Sequence, residues 1–476
     1  MSFSFLAWNR NWRGAFPWQA FLPLTTATVA ALILVPALQL HRFPRSNAAG
    51  LERLLPASSL IQSFAADPRR EAPPLWQRRL SAERAPGLWI RQRGNWWQFW
   101  GRHGDGAEAF LALPARAFGI GASAALPPNS LRLDDLVVIA PDPLSRQLLQ
   151  DDLRRNLRTP QGLQERCVQR LRNGQSVAWS RTGLAHLAGA LSPLLQRYQQ
   201  GCLEVGGDRA GLVWQGESSA TEDLAGPSLG SAPLPLPSRR PPLPPGLLLE
   251  VKGDRLDLLF QTLFTRQLIR QPLAERYGLM PPLADRLGTL PFHLRLRPLA
   301  KGPFQASLEL QLAVGNERPA WDSWLLALRT NLEGQGLTRK PPGGPSPAPQ
   351  AAVAGPGDST WQRQDGAVVG GWRWIRPVAS RPAELLFFLG PVPATAEGSS
   401  ATARSSEGAA MSLQARPAAL AAVSLLPPGL PAVVRQAEQL EWLSISPTTK
   451  APALSPLSWV SGALQLAQPS AGGGGR

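Results

Sequence analysis

The strongest alternation of apolar and polar positions lies between residues 292 and 314. Phe292, Leu294 and Leu296 alternate with His293, Arg295 and Arg297; after a loop at 298–303, Phe304, Ala306, Leu308, Leu310, Leu312 and Val314 alternate with Gln305, Ser307, Glu309 and Gln311. Successive side chains of a strand point to opposite faces, so the pair predicts an antiparallel hairpin with one buried and one solvated face. Trp321, Trp324, Leu325, Leu328 and Leu332 then recur at helical spacing and predict an amphipathic helix. Upstream, GLLLEV reads as a strand, and Asp254 as the cap of a helix with Leu256, Leu259, Phe260, Leu263 and Phe264 on its apolar side. Downstream, WQRQ, Asp365-Gly366 and AVVGGWRWI read as a hairpin around a favoured turn dipeptide. ELLFFLG reads as a buried strand that completes the same sheet.

The region before this one, 51–215, opens with a helical or irregular stretch. A hairpin is expected from GLWIRQ, a turn at Arg93-Gly94-Asn95, and WWQFWG. Leu136 to Ala140 reads as a buried strand, followed by Asp142 as an N-cap and Pro143 in the first helical position. Leu144, Leu148, Leu149 and Leu153 recur at helical spacing, as do Leu163, Cys167, Val168 and Leu171, with Asn173-Gly174 ending the second helix. The strand SVAW follows. A helix carrying Leu184, Leu187, Leu191, Leu194, Leu195 and Tyr198 comes next, then the short strands CLEV and AGLVWQ. At the other end of the chain, 411–466 reads as helical around Ala432 to Trp442, after Pro431, and irregular elsewhere.

The predicted fold class is therefore α+β, with mostly antiparallel sheet and packed helices. Stretches rich in Pro, Gly, Ser and Ala divide it. The expected organisation is a first α+β domain at 51–215, a Pro-rich linker at 216–246, a second α+β domain at 247–338, and a linker at 340–359. Strands at 360–392 complete the second domain. A linker at 394–409, the region 411–466 and a disordered tail at 467–476 end the chain.

The chain has a different character near its start. Residues 20–38, AFLPLTTATVAALILVPAL, hold no charge, and as a helix they span about 28 Å against a hydrocarbon core of ~30 Å. Residues 1–19 form a short basic and aromatic tail whose Trp8, Trp12, Phe16 and Trp18 suit a membrane interface. The apolar run is long for the core of a cleaved signal peptide, so a single-pass signal anchor in a lipid bilayer is expected. Arg10 and Arg13 stand before the span and Arg42 and Arg45 after it; the short basic tail inside places the large domain on the exported side, periplasmic or lumenal. There Cys167 and Cys202 are candidates for a disulfide, with two buried thiols as the other reading.

Composition narrows the chemistry. Lysine and arginine number 49 against 33 aspartates and glutamates, a net charge of +16, and only Lys252, Lys301, Lys340 and Lys450 are lysine. The arginines are spread along the chain rather than gathered into a run, which raises general affinity for anionic surfaces without defining a site. With four histidines, two cysteines and no second His or Cys at ligand spacing, no metal site and no cofactor are expected. Gly226-Pro227-Ser228-Leu229-Gly230 has the form of a nucleophile elbow but no strand precedes it. The glycines of Gly119-Ile120-Gly121-Ala122-Ser123-Ala124 are followed by Pro127 and Pro128 instead of a phosphate-binding helix. Asp134, Asp135, Asp142, Asp151 and Asp152 lie close in sequence; Asp142 reads as a cap, Asp151 and Asp152, beside Arg154 and Arg155, as a solvated charged face, and Arg239 to Pro245 as a stiff spacer.

One cluster interleaves cations with aromatics: Arg91, Arg93, Trp96, Trp97, Phe99, Trp100 and Arg102. It reads as a hairpin with one aromatic face in the core, or as a surface for anionic lipid headgroups or another polyanion. A membrane anchor argues against nucleic acid.

The anchor, LLLEVKGDRLDLLFQTLFTRQLIRQPLAERYG and KGPFQASLELQLAVGNERPAWDSWLLAL resemble, over about a quarter of the chain, uncharacterised single-span membrane proteins of cyanobacteria. That resemblance implies a plasma- or thylakoid-membrane setting and brings no activity or site residue with it. The function expected is a non-enzymatic, membrane-anchored protein that binds a membrane-protein partner or scaffolds an assembly. The alternatives are a peripheral binder of polyanions through the Trp/Arg cluster and a hydrolase with an unrecognised site.

Overall fold

A computed structural model describes residues 50–102, 108–119, 126–155, 160–188, 192, 195, 197–208, 211–220, 241–260, 266–315, 318–340, 358–375, 383–393, 409–428, 430–445 and 457–466. The expected span at 20–38, the Ser228 motif, most of the linkers and the tail lie outside the described residues. Among the described residues, no helix is long and apolar enough to cross a membrane.

In chain order the first half runs α1 (Gly50–Ala57), β1 (Ser58–Ala65), α2 (Pro74–Leu80), α3 (Arg84–Arg91), β2 (Asn95–Gly101), β3 (Phe110–Pro114), β4 (Ser130–Leu133), β5 (Leu136–Ile139), α4 (Pro143–Arg155), α5 (Leu163–Asn173), β6 (Ser176–Trp179), α6 (Arg181–Ala188), β7 (Gln200–Asp208) and β8 (Gly211–Ser219). The second half runs β9 (Leu249–Gly253), α7 (Gln267–Tyr277), α8 (Pro281–Thr289), β10 (Phe292–Pro298), β11 (Ala306–Ala313), α9 (Arg318–Gly334), β12 (Thr338–Arg339), β13 (Ser359–Gln362), β14 (Val368–Ile375), β15 (Glu384–Leu389), β16 (Met411–Ala415), α10 (Pro417–Ala422), α11 (Ala432–Arg435), β17 (Ala437–Ile445) and β18 (Leu457–Leu466).

All of these strands belong to one sheet of 18, and every pairing is antiparallel. The first half lies in the order β4-β5-β3-β2-β1-β6-β7-β8. The second half, from its far side inward, lies in the order β14-β15-β11-β10-β9-β16-β17-β18. These eight strands follow the same path in both halves, and β12 and β13 extend the second half beyond β14. In each, a first strand leads through helices to a second, a hairpin adds a third, and the chain later returns to the other side of the first strand. The halves join edge to edge through β8 and β18, with Gln215 opposite Ser461. Sequence patterning predicts α+β with antiparallel sheet, and the architecture agrees at that level.

Register carries each face across the join. Leu203 stands opposite Gly216, and Gly216 opposite Val460, while Cys202, Glu217 and Trp459 share the other face. On the Val460 face, α2 and α3 bury Trp76 and Trp89 against Trp96, Leu111 and Ile139 in the first half. In the second half, α8 and α9 bury Leu287, Trp321 and Leu325 against Phe292, Leu312 and Trp372 on that same face, and α10 buries Leu420 beside Leu248 and Ala415. On the Cys202 face, α1, α4 and α5 cover the first half, with Leu54, Leu153 and Leu171 packed on Ile61, Phe99 and Val138.

Several elements differ from the sequence reading. GLWIRQ ends helix α3 and forms no hairpin with β2. Pro86 is tolerated near a helix start, and Trp89, packed edge-on against Trp76 with its N–H donating to the Arg70 carbonyl at 2.7 Å, holds the turn. Strand β2 pairs instead with β1, which reads as irregular, and with β3. Leu149 and Leu153 of α4 are buried, but Leu144 and Leu148 are exposed, so its apolar stripe is narrower than the leucine spacing suggests. The helix expected at 432–442 is a four-residue turn followed by strand β17. There Leu440, Trp442 and Ser444 alternate with Gln439, Glu441 and Leu443, a period of two that overrides helix propensity. Residues 216–219, assigned to a linker, are the end of β8.

Candidate functional site

The Trp/Arg cluster is divided by the pleat. Trp96 and Trp97 are buried on opposite faces of β2, in different cores, and the Trp97 N–H donates to the Leu171 carbonyl at 2.9 Å. Phe99 is buried, Trp100 half-buried, and Arg91, Arg93 and Arg102 are exposed. The seven residues of the cluster thus do not share a surface. Cys167 of α5 and Cys202 of β7 form a disulfide across a separation of 35 residues, both sulfurs inside the first core.

The acidic residues singled out by sequence are engaged in structural contacts, and Asp152, expected on a solvated face, is buried. Asp142 caps α4, accepting from the Ser145 hydroxyl and from its N–H at 2.9 Å, and these bonds hold its carboxyl below the usual range. Asp135 accepts from the Gly50 N–H at 2.7 Å, Asp134 pairs with Arg53 at 3.5 Å, and Asp151 with Arg154 at 3.6 Å. Glu217, which sequence reasoning passed over, is 1% exposed at the join of the halves. Arg166 and Arg170, one turn apart on α5, reach it at 2.6 and 3.3 Å.

The expected wet face of the β10–β11 hairpin is where structure and pattern diverge most. His293, Arg295, Glu309 and Gln311 are buried, His293 to 1% exposure. They belong to a ladder of charges running across β9, β10, β11 and β15. His293 Nε2 lies 2.8 Å from Glu250 Oε1, and Lys252 Nζ reaches the same oxygen at 3.2 Å. Arg295 donates to Gln311 at 3.2 Å and pairs with Glu309 at 3.6 Å; Arg297 donates to Glu309 at 3.1 Å; Gln311 donates to Glu384. The alternation of β10 and β11 is what places these groups on one face, so the residues were legible in sequence and their burial was not.

Electrostatics fixes the protonation states. Burial pushes the His293 imidazole down, and the neighbouring Arg295 and Lys252 cations push it the same way, outweighing the bond to Glu250. Burial alone would raise the Glu250 carboxyl, but the His293 hydrogen bond and the Lys252 ammonium bring it down to about 2. At neutral pH the ladder is therefore a neutral imidazole donating to a carboxylate, with positive and negative groups alternating across strands. Such an arrangement binds the sheet to itself; it holds no nucleophile next to a base. Among the described residues, no three His, Cys, Asp or Glu side chains converge as metal ligands.

On the opposite face, between the sheet and α9, lies an open apolar pocket of about 340 Å³. Leu310, Phe387 and Trp372 rise from the strands, Leu328 and Leu332 face them from the helix, and Trp361 of β13 closes one side. Sequence patterning predicts each wall as core, but a gap between walls leaves no mark in a single sequence. No family model, no curated protein and no solved structure matches this chain.

Proposed function

We propose that this protein is a membrane-anchored binding protein, without catalytic activity of its own, whose folded part stands on the exported side of a cell-envelope or thylakoid membrane and engages or scaffolds a partner there. The observation that carries the reading is how its buried ionisable groups are used. Glu217 is taken up by Arg166 and Arg170, Glu250 by His293 and Lys252, and Glu309 by Arg295 and Arg297. Catalytic groups are held with perturbed pKa toward a cleft where a substrate fits; these are turned on one another to join strands and helices.

Two further features support the location. The uncharged stretch 20–38 is long enough to span a bilayer. A disulfide enclosed in a core is the expected product of folding in an oxidising compartment.

The test is fractionation of the full chain. The protein is expected in membranes washed with high salt and alkaline carbonate, released only by detergent, with no thiol titratable before reduction. Recovery of the intact chain in the soluble fraction after gentle lysis would overturn the anchoring, and two free thiols in native protein would overturn the exported location.

A further inference from the structure

We propose that the outer edge of β4 is a docking site for an extended segment of a partner protein, one that alternates acidic and apolar residues and adds to the sheet as an antiparallel strand. This rests on the binding reading above, which it deepens by naming the surface and the kind of partner, and it does not depend on the anchor.

β4 and β14 hold the same place in the strand path that the halves share, and their outer sides differ. Beside β14 the second half places β13, with Ser359 opposite Trp372 and Trp361 opposite Gly370, and beyond it β12, a strand of two residues. Ser359 and Trp361 are 3% and 2% exposed, so a strand added at this position of the fold is built into the core. A very short outermost strand is one of the ways a sheet edge is blunted against further pairing. Among the described residues, β4 pairs with β5 alone, so the first half leaves open the place that the second half fills from its own chain.

Backbone phase shows what the open edge offers. The Ala140 N–H donates to the Asn129 carbonyl at 3.1 Å, so Asn129 faces β5, and with it Leu131 and Leu133. Ser130 and Arg132 therefore turn their backbone groups outward. The Ser130 N–H donates to the Pro127 carbonyl at 3.3 Å, while the Ser130 carbonyl and both backbone groups of Arg132 have no partner among the described residues. Unpaired edge groups of this kind are the template for strand addition.

Side chains then select the partner. Leu131, half-buried, packs on the first core from the face it shares with Val138, so its neighbour on an added strand is apolar. Arg132 is exposed on the other face, where it favours a carboxylate opposite it and repels a cationic strand. The net charge of +16 gives the whole chain the same preference at longer range.

The test uses the detergent-solubilised full chain and a labelled hexapeptide of alternating valine and glutamate, read by fluorescence anisotropy and by residue-resolved hydrogen exchange. Saturable binding is expected, with the Arg132 amide gaining protection. Arg132→Pro removes the outward N–H, which no bond to β5 uses, and is expected to abolish binding while exchange in β3 and β5 stays unchanged. Arg132→Gln is expected to weaken binding of the same peptide by about two- to fivefold, the loss of one exposed cross-strand ion pair. Arg132→Glu is expected to prefer the corresponding valine–lysine peptide. Undiminished binding by Arg132→Pro, protection only outside 129–133, or no binding by the unsubstituted chain would overturn the site. Self-association that protects Arg132 and shuts out the peptide would overturn the partner by assigning the edge to a second copy. A chain still membrane-bound that takes up no peptide sinks the edge alone, and a soluble chain with a protected Arg132 sinks only the anchor.

Discussion

The two halves follow one strand path and dress it in opposite ways. In the first half, the Cys202 face presents the row Ile61, Phe99 and Phe110, the two rings stacked at 4.7 Å, under helices α1, α4 and α5. In the second half, the corresponding row is Lys252, His293 and Gln311. The segment that forms α4 and α5 between β5 and β6 has as its counterpart, between β15 and β16, a stretch whose sequence is largely Ala, Ser and Gly. The helices of the second half that bury side chains do so on the other face. Strand order is set by backbone pairing, which is indifferent to side chains. What lies over a face is decided by the side chains alone, so one topology supports an apolar layer in one half and a charge ladder in the other.

The largest expected effect concerns how the first half is closed. The disulfide ties α5 to β7 over a 35-residue loop, and in the chain-entropy account closing a loop of that length contributes about 4 kcal/mol. Replacing both Cys167 and Cys202 by Ala is expected to lose most of this, and hydrogen exchange should show it in α5, β6 and β7 before β9 to β11. Equal loss in both halves would mean that they unfold as one unit and that the contrast is only chemical.

The ladder should respond differently. Glu309 lies between Arg295 and Arg297, with Arg295 buried. Glu309→Ala is expected to cost about 3 kcal/mol because it leaves buried positive charge uncompensated, whereas Glu309→Met combined with Arg295→Met is expected to be near neutral. Chemical unfolding of the two variants decides this. A double variant as unstable as the single one would show that the ladder is required for the packing of β10 on β11 and is not one of two interchangeable solutions.

Acid should separate the halves as well. The Glu250 carboxyl is depressed to about 2 from an ordinary 4.5, so its contribution is complete above pH 4.5 and is lost as pH falls toward 2. His293 is also depressed, so the unfolded chain takes up its proton first, and stability begins to fall below about pH 6.5. Together they are expected to destabilise β9, β10 and β11 on acidification. Protection of β1 to β3, where the same row is apolar, should hold over that range. Glu250→Gln should flatten the response, and an unchanged acid limb in that variant would assign the titration elsewhere.

Much of this was legible along the chain, and the misses share a cause. The alternation of residues 292–314 placed His293, Arg295, Glu309 and Gln311 on one face, because strand geometry makes faces periodic. Calling that face solvated was an inference from polarity, and polarity does not report burial when charges pair across strands. GLWIRQ and residues 432–442 failed for a related reason. Five or six apolar-polar positions fit both periods, and the choice is made by a distant partner, Trp76 for α3 and strands β16 and β18 for β17. The repeated strand path was invisible because SSLIQSFA and LEVKG occupy the same place with nothing in common but extension. Cys167 and Cys202 were the only candidate pair because there were no others to choose from, and two buried thiols fitted the sequence equally well until the fold brought them together.

The smallest effect tests whether the first half's helical layer is built locally or drawn down by the sheet. Asp142 caps α4 through Ser145, and loss of the cap leaves a first-turn N–H without its acceptor. Only Leu149, Asp152 and Leu153 of that helix are buried, so little packing compensates for a frayed first turn. Asp142→Ala is expected to raise exchange at residues 143–148 and to leave α5, which is fixed by the disulfide and by Glu217, unchanged. Asp142→Asn, which retains the acceptor without the charge, should restore most of the protection. If Asp142→Ala instead loosens α5 too, then the layer covering the first half is a single cooperative unit, and the apolar solution carries a cooperativity that the ladder, built strand by strand, does not share.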